Sequence, residues 1–506
     1  MAAQVNKWVV GLTVMIPTLM VIVDTSVVNV ALDHIRGSLS AGIEETTWSI
    51  TSYLAANAVV IPMTGWLARI FGRKRYLIFS IVMFTLSSLL CGLSWSIESL
   101  IFFRVLQGIG GGALQPLSQA ILLETFPPKQ HGIAMAVFGV GVMFGPIIGP
   151  FLGGWITDNW SWHWVFFINI PIGIFSVLMC LIVITDPDYV KKALIKIDYW
   201  GLMLLGLGVG CLQMVLDRGQ SQDWFASPLI TWLTVVSVIA LVFFIVVELF
   251  AEHPIVNLRE FRNYSFALGN VAVFFIMVNL FGNLILPPIY VQTLMGYTAI
   301  LAGMVIMPGG IASLFAMPVV GRLINVFNPK YIVIFGILLM VFAAHLMSQF
   351  SLYADFMTIV QPRIIFGIGM ACMFIPLMTL TLSSIPKEEM GNATSIFNLL
   401  RNLGGSVGIA FVTTMLSRRY QFHHARLAEH MSPFDLPYYL GAHQTSQNLI
   451  YKGFDGSVAD HAGAGVIYEQ MIRQAHMMAF NDVYHLISIM MLAMIIPVMF
   501  MRATKH

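Results

Sequence analysis

"PMTGWLARIFGRK" (Pro62 to Lys74) decides the fold, because its pattern recurs later in the same chain. "PVVGRLINVFNPK" (Pro318 to Lys330) repeats its proline, glycine, leucine, phenylalanine and lysine, each 256 residues further on. A second set recurs 259 residues further on: Arg104, Gly108, Gly110, Pro127, Gly145 and Gly149 match Arg363, Gly367, Gly369, Pro386, Gly404 and Gly408. The chain therefore holds two copies of one pattern. Parallel repeats of this kind indicate a transporter whose halves rock about a site at the membrane midplane.

The composition is that of a membrane protein. Of 506 residues, 58% are hydrophobic and only 10% are charged, whereas about 25% of the residues in a soluble domain carry charge. The net charge is +2 and no basic patch suggests nucleic acid as a partner. The stretch from Trp8 to Leu32 is too long for the apolar region of a signal peptide and is expected to be a first spanning helix. The cysteines lie in apolar runs and are expected to be core residues rather than disulfide partners: Cys91, Cys180, Cys211 and Cys372.

A spanning helix needs roughly 20 mostly apolar residues. Fourteen such segments are predicted: 8–32, 46–67, 76–95, 99–124, 132–156, 162–184, 198–216, 227–250, 264–290, 298–320, 331–350, 356–385, 391–416 and 476–501. With the repeat, they group as a six-helix half (1–190), two inserted helices (191–262) and a second six-helix half (263–506). The prediction is an all-α membrane protein.

The distribution of lysine and arginine predicts the orientation, because cytoplasmic loops are enriched in both. An even number of spans places both termini on one side. If that side is cytoplasmic, 16 basic residues lie inside: Lys7, Arg69, Arg73, Lys74, Arg75, Lys129, Lys191, Lys192, Lys196, Arg259, Arg262, Arg322, Lys330, Lys387, Arg502 and Lys505. The short outer loops hold 2, Arg36 and Arg218. We therefore expect a multi-pass protein of a bacterial inner membrane with both termini in the cytoplasm.

Six motifs together resemble one known family. They are "VIVDTSVVNVAL" (Val21 to Leu32), "GWLARIFGRKR" (Gly65 to Arg75), "RVLQGIGGG" (Arg104 to Gly112), "GVMFGPIIGPFLGG" (Gly141 to Gly154), "WHWVFFINIPIG" (Trp162 to Gly173) and "LDRGQSQDWF" (Leu216 to Phe225). Over nearly the whole chain, the sequence resembles the major facilitator superfamily, and within it the fourteen-helix drug:proton antiporter branch. The long outer segment before the last span is similar to that of the EmrB-type multidrug exporters. The resemblance implies the major facilitator fold and export of lipophilic compounds in exchange for protons.

Two positions depart from the pattern of that branch. The loop motif usually has an acid where this chain has Arg69, and the first-helix motif usually ends in proline where this chain has Asp33. In the family, the loop motif forms a charge-relay latch, and the first departure replaces a negative charge of that latch with a positive one.

Arg104 lies inside an apolar span, where a charge costs at least roughly 2.5–3.5 kcal/mol on insertion scales. Asp24 is the candidate partner, because the two lie at similar depths. Asp24 is eight residues before Leu32, about 12 Å below the outer surface, and Arg104 is six residues past Glu98, about 9 Å below it. One interpretation is a static ion pair, or an arginine bonded to backbone carbonyls. The resemblance favours a proton-coupling pair, in which a proton on Asp24 weakens its hold on Arg104 or on a cationic substrate.

The loop between the second and third spans is a candidate gate. The resemblance implies a latch formed by Arg73 and Lys74, with Gly65 and Gly72 permitting a tight turn. The positive charges also suit a cytoplasmic loop without any gating role.

A second candidate gate lies in the fifth span, where glycines recur every four residues from Gly141 to Gly153. Small residues at this spacing let helix backbones approach closely, and proline between them bends a helix. Tight packing is one interpretation. The other is a flexible, leak-tight seam between the halves, formed by Gly145, Pro146, Gly149 and Pro150.

Polar residues within spans are the candidates for substrate binding, because each needs a partner inside the bundle or a wet cavity. They are Asn29, Asn57, Gln115, Gln119, Asn279 and Asn283. Gln115 and Gln119 are favoured, because they share a helix face and follow Arg104. Most of the 32 methionines and 36 phenylalanines are expected to face lipid, although methionine also suits promiscuous sites. Arg401 and Asp482 lie in late spans, where a packing ion pair is the expected role of either.

These observations favour a proton-coupled antiporter that exports lipophilic drugs and other amphipathic toxic compounds by alternating access. The alternative within transport is an exporter of a dedicated metabolite, siderophore or organic ion. An enzyme is disfavoured because no nucleophile, base or metal-ligand set is clustered, and a channel because the repeat suggests rocking halves. "GGSVG" (Gly404 to Gly408) fits a hydrolase elbow but lies in an apolar span. The chain has no phosphate-binding loop, so ATP is not expected to supply energy, and no cofactor or metal is expected.

Residues 417–475 form the one long outer segment. The stretch "RRYQFHHARLAEHM" (Arg418 to Met431) can form a short amphipathic helix, and "GVIYEQMIRQA" (Gly465 to Ala475) a second one. A solvated loop is one interpretation. Long loops are usually functional or disordered, and the tyrosines and phenylalanines here argue against disorder. The EmrB-type resemblance implies a periplasmic adaptor protein and, through it, an outer-membrane channel.

Overall fold

The computed structural model describes residues 6–186, 198–251, 254–432 and 434–501, and only the backbone of Ile43, Pro146, Ile147, Ala299 and Ile300. Within these ranges, fourteen helices are long and apolar enough to cross a membrane. They are α1 (Lys7–Ser38), α2 (Glu44–Phe71), α3 (Arg73–Gly92), α4 (Ile97–Thr125), α5 (Pro128–Asn159), α6 (Trp164–Val183), α7 (Tyr199–Arg218), α8 (Pro228–Phe250), α9 (Tyr264–Leu294), α10 (Leu301–Leu323), α11 (Pro329–Met347), α12 (Phe356–Leu382), α13 (Lys387–Ala428) and α14 (Gly456–Phe500).

The predicted all-α architecture with fourteen spans is confirmed. The predicted boundary between residues 190 and 191 lies outside the described residues, as do five residues of the charge count: Lys191, Lys192, Lys196, Arg502 and Lys505.

Polar residues at the ends of the apolar runs begin several helices. The side chain of Asn6 accepts a hydrogen bond from the Trp8 amide at the start of α1, at 3.0 Å. Asn263 caps α9, and Asn328 caps α11, whose first residue is Pro329. These short side chains satisfy amides that have no partner within the helix, so the chain turns where each apolar segment stops.

The two halves pack in the same way. In the first half α1 packs on α5, and α4 packs on α2 and α3. In the second half the equivalent helices repeat these pairs, with α9 on α13 and α12 on α10 and α11. The halves meet through α2 with α13 and through α5 with α10. The repeat relates α2 to α10 and α5 to α13. The two contacts between the halves are therefore equivalent, as a twofold relation requires.

The inserted helices α7 and α8 pack on each other at the edge of the bundle, and α7 contacts both halves. On the side of the second half, the Gln213 amide donates to the Ser406 hydroxyl at 2.8 Å. On the side of the first half, the Arg218 guanidinium donates to the Glu44 carbonyl at 3.0 Å and lies over the Trp48 ring. The insertion therefore bridges the two halves.

The terminal face is the end of the bundle where α1 begins and α14 ends, and the loop face is the opposite end. At the terminal face the halves approach closely. A Cβ at Gly65 would lie 2.7 Å from the backbone of Asn392, and a Cβ at Gly132 would lie 3.0 Å from the Gly321 carbonyl oxygen. The two halves are therefore closed against each other at this end.

The segment 417–475 is more helical than predicted. Arg418 to Ala428 continue α13 rather than forming a separate helix, and α14 already begins at Gly456. Between them lies the loop helix (Leu436–Tyr451), which packs on α14. Hydropathy located the ends of the apolar parts of α13 and α14, but these helices extend as polar helices beyond the loop face.

Candidate functional site

The first half has an ion pair in its core. Asp24 of α1 and Arg104 of α4 are 1% and 0% exposed, and Arg104 Nη1 donates to Asp24 Oδ2 at 2.8 Å. Close approach of α4 to α2 places Arg104 there, because a Cβ at Gly108, one turn further along, would lie 2.5 Å from the Tyr53 carbonyl oxygen. The two charges therefore meet, as their matching depths suggested, inside one half and away from the surface between the halves.

The other carboxylate oxygen of Asp24 accepts two amide donors. Gln107 Nε2 donates to Asp24 Oδ1 at 3.0 Å, and Asn169 Nδ2 of α6 donates to the same oxygen at 2.7 Å. Asn169 also donates to the Ser88 hydroxyl at 3.0 Å. Sequence analysis missed Gln107 and Asn169, although both stand in the quoted motifs. Their signal was a polar residue within an apolar span, the same signal that selected Gln115.

The guanidinium of Arg104 is held from three further sides. Its Nε donates to the Ser49 carbonyl at 3.1 Å, and its Nη1 donates to Gln107 Oε1 at 2.7 Å. The Tyr53 ring lies 4.1 Å from its Cζ, a distance suited to cation–π attraction. Arg104 is thus fixed by α2 and by its own helix, while Asp24 is held by donors from α4 and α6.

The second half has an arginine at the matching position but surrounds it with different partners. Arg363 corresponds to Arg104, and Asn283 lies 259 residues after Asp24. Arg363 Nη1 donates to Asn283 Oδ1 at 2.9 Å and to the Asn283 carbonyl at 3.2 Å. The repeat therefore has a carboxylate facing the arginine in one half and a neutral amide in the other. At these matched positions, the first half has a group that can take up a proton and the second does not.

The structure separates the six candidate substrate residues. Gln115 and Gln119 lie between the halves. Asn57 lies inside the first half beside Gly111 and Tyr53, and Asn29 is exposed on α1 towards the loop face. Asn283 is bonded to Arg363 inside the second half. The sixth, Asn279, also lies in the second half and donates to the Phe275 carbonyl at 2.7 Å.

Polar side chains join α4 of the first half to α13 of the second. The Arg401 guanidinium donates to Gln115 Oε1, and Asn398 Nδ2 donates to Gln119 Oε1 at 2.6 Å. The expected packing ion pair is found for Asp482, whose carboxylate accepts from Arg419 Nε at 2.6 Å. Among the described residues, no carboxylate lies within ion-pair distance of Arg401. Sequence analysis missed Asn398, although it is a polar residue within a predicted span, the same signal that selected Gln119.

The candidate latch residues lie at the terminal face. The Gly65 amide donates to the Ser395 hydroxyl of the second half at 2.9 Å. Gly72 joins α2 to α3 with φ +85°, a conformation that favours glycine. Arg73 forms a buried ion pair with Glu124, and the Lys74 amide donates to Asp186 Oδ1 at 2.8 Å. Of these four residues, Gly65 makes a described contact between the halves, whereas Arg73 and Lys74 bind partners in their own half.

The glycines of α5 face α1 rather than the other half. A Cβ at Gly145 would lie 2.2 Å from Ile22 Cγ2, and one at Gly149 would lie 2.3 Å from Ser26 Cβ. The seam expected between the halves is therefore a seam within the first half, since the glycine stripe is the surface on which α1 packs. Pro150 is exposed on α5, and the side chain of Pro146 lies outside the described part of the chain.

Comparison with known proteins agrees with this architecture. Residues 14–409 match the family described as "Major Facilitator Superfamily". The chain is 38% identical to "Multidrug export protein EmrB" of Escherichia coli (strain K12), over 92% of this chain and 90% of that protein. It is 36% identical to "Fatty acid resistance protein FarB" of Neisseria gonorrhoeae, over 96% and 94% of the two chains. A solved proton:xylose symporter, XylE, superimposes with a TM-score of 0.60 at 15% identity, covering 99% of this chain and 96% of that one.

The fold and the family match define a multi-pass membrane transporter of small molecules rather than an enzyme. The chain belongs to the major facilitator superfamily.

Proposed function

We propose that this protein is a proton-coupled antiporter that exports lipophilic drugs and other amphipathic compounds across a bacterial inner membrane by alternating access. The observation that carries the proposal is the unequal pair of arginine sites. Asp24 faces Arg104 in the first half, while Asn283 faces Arg363 in the second. At the matched positions, the first site has the group that proton coupling requires, a carboxylate that can become neutral, and the second has an amide in its place.

Protonation of Asp24 would change the balance of this site. Arg104 would lose its charged partner but keep the Gln107 and Ser49 acceptors. A weaker hold between α1 and α4 would then allow the first half to change its packing. Because α5 packs on α1 and also contacts α10, a change at α1 has a direct path to the surface between the halves.

The names of the relatives support amphipathic compounds as substrates. They refer to multidrug export and fatty acid resistance, and a further relative that is 30% identical over 99% of this chain is named "Colistin resistance protein EmrB" (Acinetobacter baumannii). The lysine and arginine distribution supports a cytoplasmic terminal face. In the state described above, the protein would be closed to the cytoplasm, as an exporter is when it releases its substrate.

We also propose that the loop-face extension, residues 417–475, binds a periplasmic adaptor protein that leads to an outer-membrane channel. The support is an apolar surface at the loop helix. Leu436, Tyr439 and Leu440 share one face of it and are 65%, 53% and 54% exposed, and Phe434 and Tyr451 at its two ends are 97% and 88% exposed. Contiguous exposed apolar residues on a soluble surface are typical of protein interfaces.

Transport in membrane vesicles tests the proposed function. Inverted vesicles containing the wild-type protein should move the dye Hoechst 33342 when a pH gradient is imposed and stop when nigericin collapses it. Asp24→Asn should bind the dye but not move it, because an amide cannot exchange a proton. Asp33→Asn is the matched control, since Asp33 is an exposed acid on the same helix.

Gradient-driven dye export by Asp24→Asn would contradict the coupling role of Asp24. A panel of chemically different compounds extends the test. Transport of a single compound from that panel would favour the alternative, an exporter of a dedicated metabolite or organic ion.

A further inference from the structure

Arg401 lies near the middle of the membrane at the surface between the halves. It is ten residues past residue 391, where the apolar part of α13 was predicted to begin, so it lies about 15 Å into a hydrocarbon core of about 30 Å. Its Nη2 donates to Gln115 Oε1 of the first half. An intramembrane charge at this depth indicates a functional site.

The surroundings of Arg401 differ from those of Arg104 and Arg363, which are bonded inside one half each. Arg104 is neutralised by Asp24, and Arg363 is enclosed by two oxygens of Asn283 inside the second half. Arg401 has Gln115 of the other half as its described acceptor. Like Arg104 Nη2 and Arg363 Nε, its buried Nη1 has no hydrogen-bond partner. Because a guanidinium stays charged, neither Arg363 nor Arg401 is balanced by a described carboxylate, and of the two it is Arg401 that lies between the halves.

The neighbouring side chains extend the site. Asn402 Nδ2 is a second buried donor without a partner, one residue along from Arg401. Asn398 and Gln119 bond to each other one turn away, and Gln119 lies against the sulfur of Met135. The site therefore combines a charged donor, an amide donor and an adjacent thioether surface, at the junction of α4 and α13.

We propose that Arg401 binds the carboxylate of an amphipathic substrate, so that this transporter prefers lipophilic organic acids to their neutral counterparts. This inference rests on the proposed function and adds the substrate class. A carboxylate matches the planar fork of a guanidinium and can accept two parallel hydrogen bonds from it. It would supply the negative charge that Arg401 lacks, while its apolar chain lies against lipophilic surface.

The test uses one fluorescent probe in two forms, 11-(dansylamino)undecanoic acid and its methyl ester. Each is titrated into purified protein in lipid nanodiscs at pH 7.5, with empty nanodiscs as the blank for partition into lipid. Wild-type protein should bind the acid about tenfold or more tightly than the ester, as expected for hydrogen bonds to a charged group. Arg401→Gln should remove this preference and leave the affinity for the ester unchanged, and Arg401→Lys should keep part of it.

The matched control is Arg426→Gln, which removes an exposed arginine further along α13 and should keep the full preference. Unchanged ester binding also shows that each variant is folded. Equal binding of acid and ester by wild-type protein would overturn the inference. So would an Arg401→Gln variant that keeps the preference, or one that loses affinity for both forms alike.

A second measurement separates this inference from the proposed function. The ester is offered to Arg401→Gln in proteoliposomes with an imposed pH gradient. Suppose that the ester is transported under the gradient but that wild-type protein binds acid and ester equally. That result would overturn the carboxylate site alone. Suppose instead that the preference for the acid depends on Arg401 but that wild-type protein transports neither form under the gradient. That result would overturn the proton-coupled function alone.

Discussion

Single residues decide whether the first half holds a static ion pair or a coupling pair, and Arg104 allows the two to be separated. Arg104→Ala leaves the Asp24 carboxylate buried without its cation, which destabilises a protein by about 3–5 kcal/mol. Transport should fail for cationic, neutral and anionic substrates alike, because the defect is not in recognition. Arg104→Lys should restore part of both properties, since a lysine supplies the charge without the guanidinium fork. Thermal unfolding and vesicle transport of three differently charged dyes measure the two effects.

The double variant Asp24→Asn with Arg104→Gln completes this test. Removing both charges takes away the unpaired carboxylate, so stability should return towards that of the wild type. Transport should remain absent, because no group in the site exchanges a proton. Recovery of transport together with stability would identify the pair as structural. Loss of anionic substrates alone in Arg104→Ala would instead point to substrate binding by Arg104.

The sequence predicted the depth of side chains better than their direction. Asp24 and Arg104 could be paired because their distance along a helix gives their depth in the membrane. Gln107 and Asn169 could not be assigned to Asp24, because that requires the rotation of α4 and α6 about their axes. The same uncertainty applied to Asn283, which faces Arg363 rather than the surface between the halves.

At the scale of helices, the contact of α2 with α13 closes the terminal face. Gly65→Ala would place a Cβ 2.7 Å from the backbone nitrogen and Cα of Asn392, and backbone cannot move aside as a flexible side chain can. Alanine is otherwise favourable within a helix. We therefore expect a folded protein that cannot close this face and transports at about a tenth of the wild-type rate or less. Gly391→Ala is the matched control, because its Cβ would meet Gly65 at an ordinary 3.7 Å.

Thiol labelling measures closure directly. Ser395, whose hydroxyl accepts from the Gly65 amide, is fully buried at this contact. In a variant without the four native cysteines, Ser395→Cys should react slowly with a maleimide. Adding Gly65→Ala should speed the reaction, and adding Gly391→Ala should not. Equal labelling of all three would show that Gly65 does not control closure.

Glu260, in the connection between α8 and α9 at the terminal face, should make the stability of the protein depend on pH. Two effects raise the pKa of the Glu260 carboxyl: its burial and the negative charge of nearby Glu389. The positive charge of Arg69 lowers it. Since the folded state then holds the proton more tightly than the unfolded state, the free energy of unfolding falls as pH rises above about 4.3. Glu260→Gln should therefore gain stability relative to wild type as pH rises from about 4 towards 7. Arg69→Gln removes the charge that lowers the pKa of Glu260, so the free energy of unfolding should fall more steeply as pH rises. Both are read from unfolding temperatures in nanodiscs, and an equal offset at every pH would contradict the assignment.

Arg69 also illustrates how a departure from a family motif is read in a structure. Its position usually carries an acid, and the sequence left open what a cation would do there. In this protein an acid, Glu260, lies close enough to interact with it. The charges at this end of α2 are therefore reversed relative to the family pattern, while attraction between neighbouring elements is kept.

At the scale of the whole molecule, the repeat predicted the fold because both halves must bury equivalent helix faces. It could not predict where the halves differ. The insertion of α7 and α8 binds the second half through Ser406 and the first half through Glu44. Neither contact has an equivalent within the repeat. The extension at the loop face is likewise outside the reach of hydropathy, which reports membrane burial and not helices in water.

The loop-face extension allows transport and assembly to be tested separately. Phe434, Leu436 and Tyr451 lie on or next to the loop helix and are more than half exposed. Replacing all three with serine should leave the membrane bundle unchanged, because none belongs to α1–α14. Dye transport in proteoliposomes should therefore equal that of wild type. Co-purification with a periplasmic adaptor and drug resistance of whole cells should both be lost, because the adaptor would lose its apolar contact.

Tyr353→Ser is the matched control for that variant. Tyr353 is 94% exposed at the same face but lies between α11 and α12, away from the extension. Each exposed aromatic residue costs little to remove, so stability should not distinguish the variants. Loss of the adaptor in the triple variant alone would assign the docking surface to the loop helix. Adaptor retained by the triple variant, or lost equally from Tyr353→Ser, would show that the adaptor binds elsewhere on the loop face.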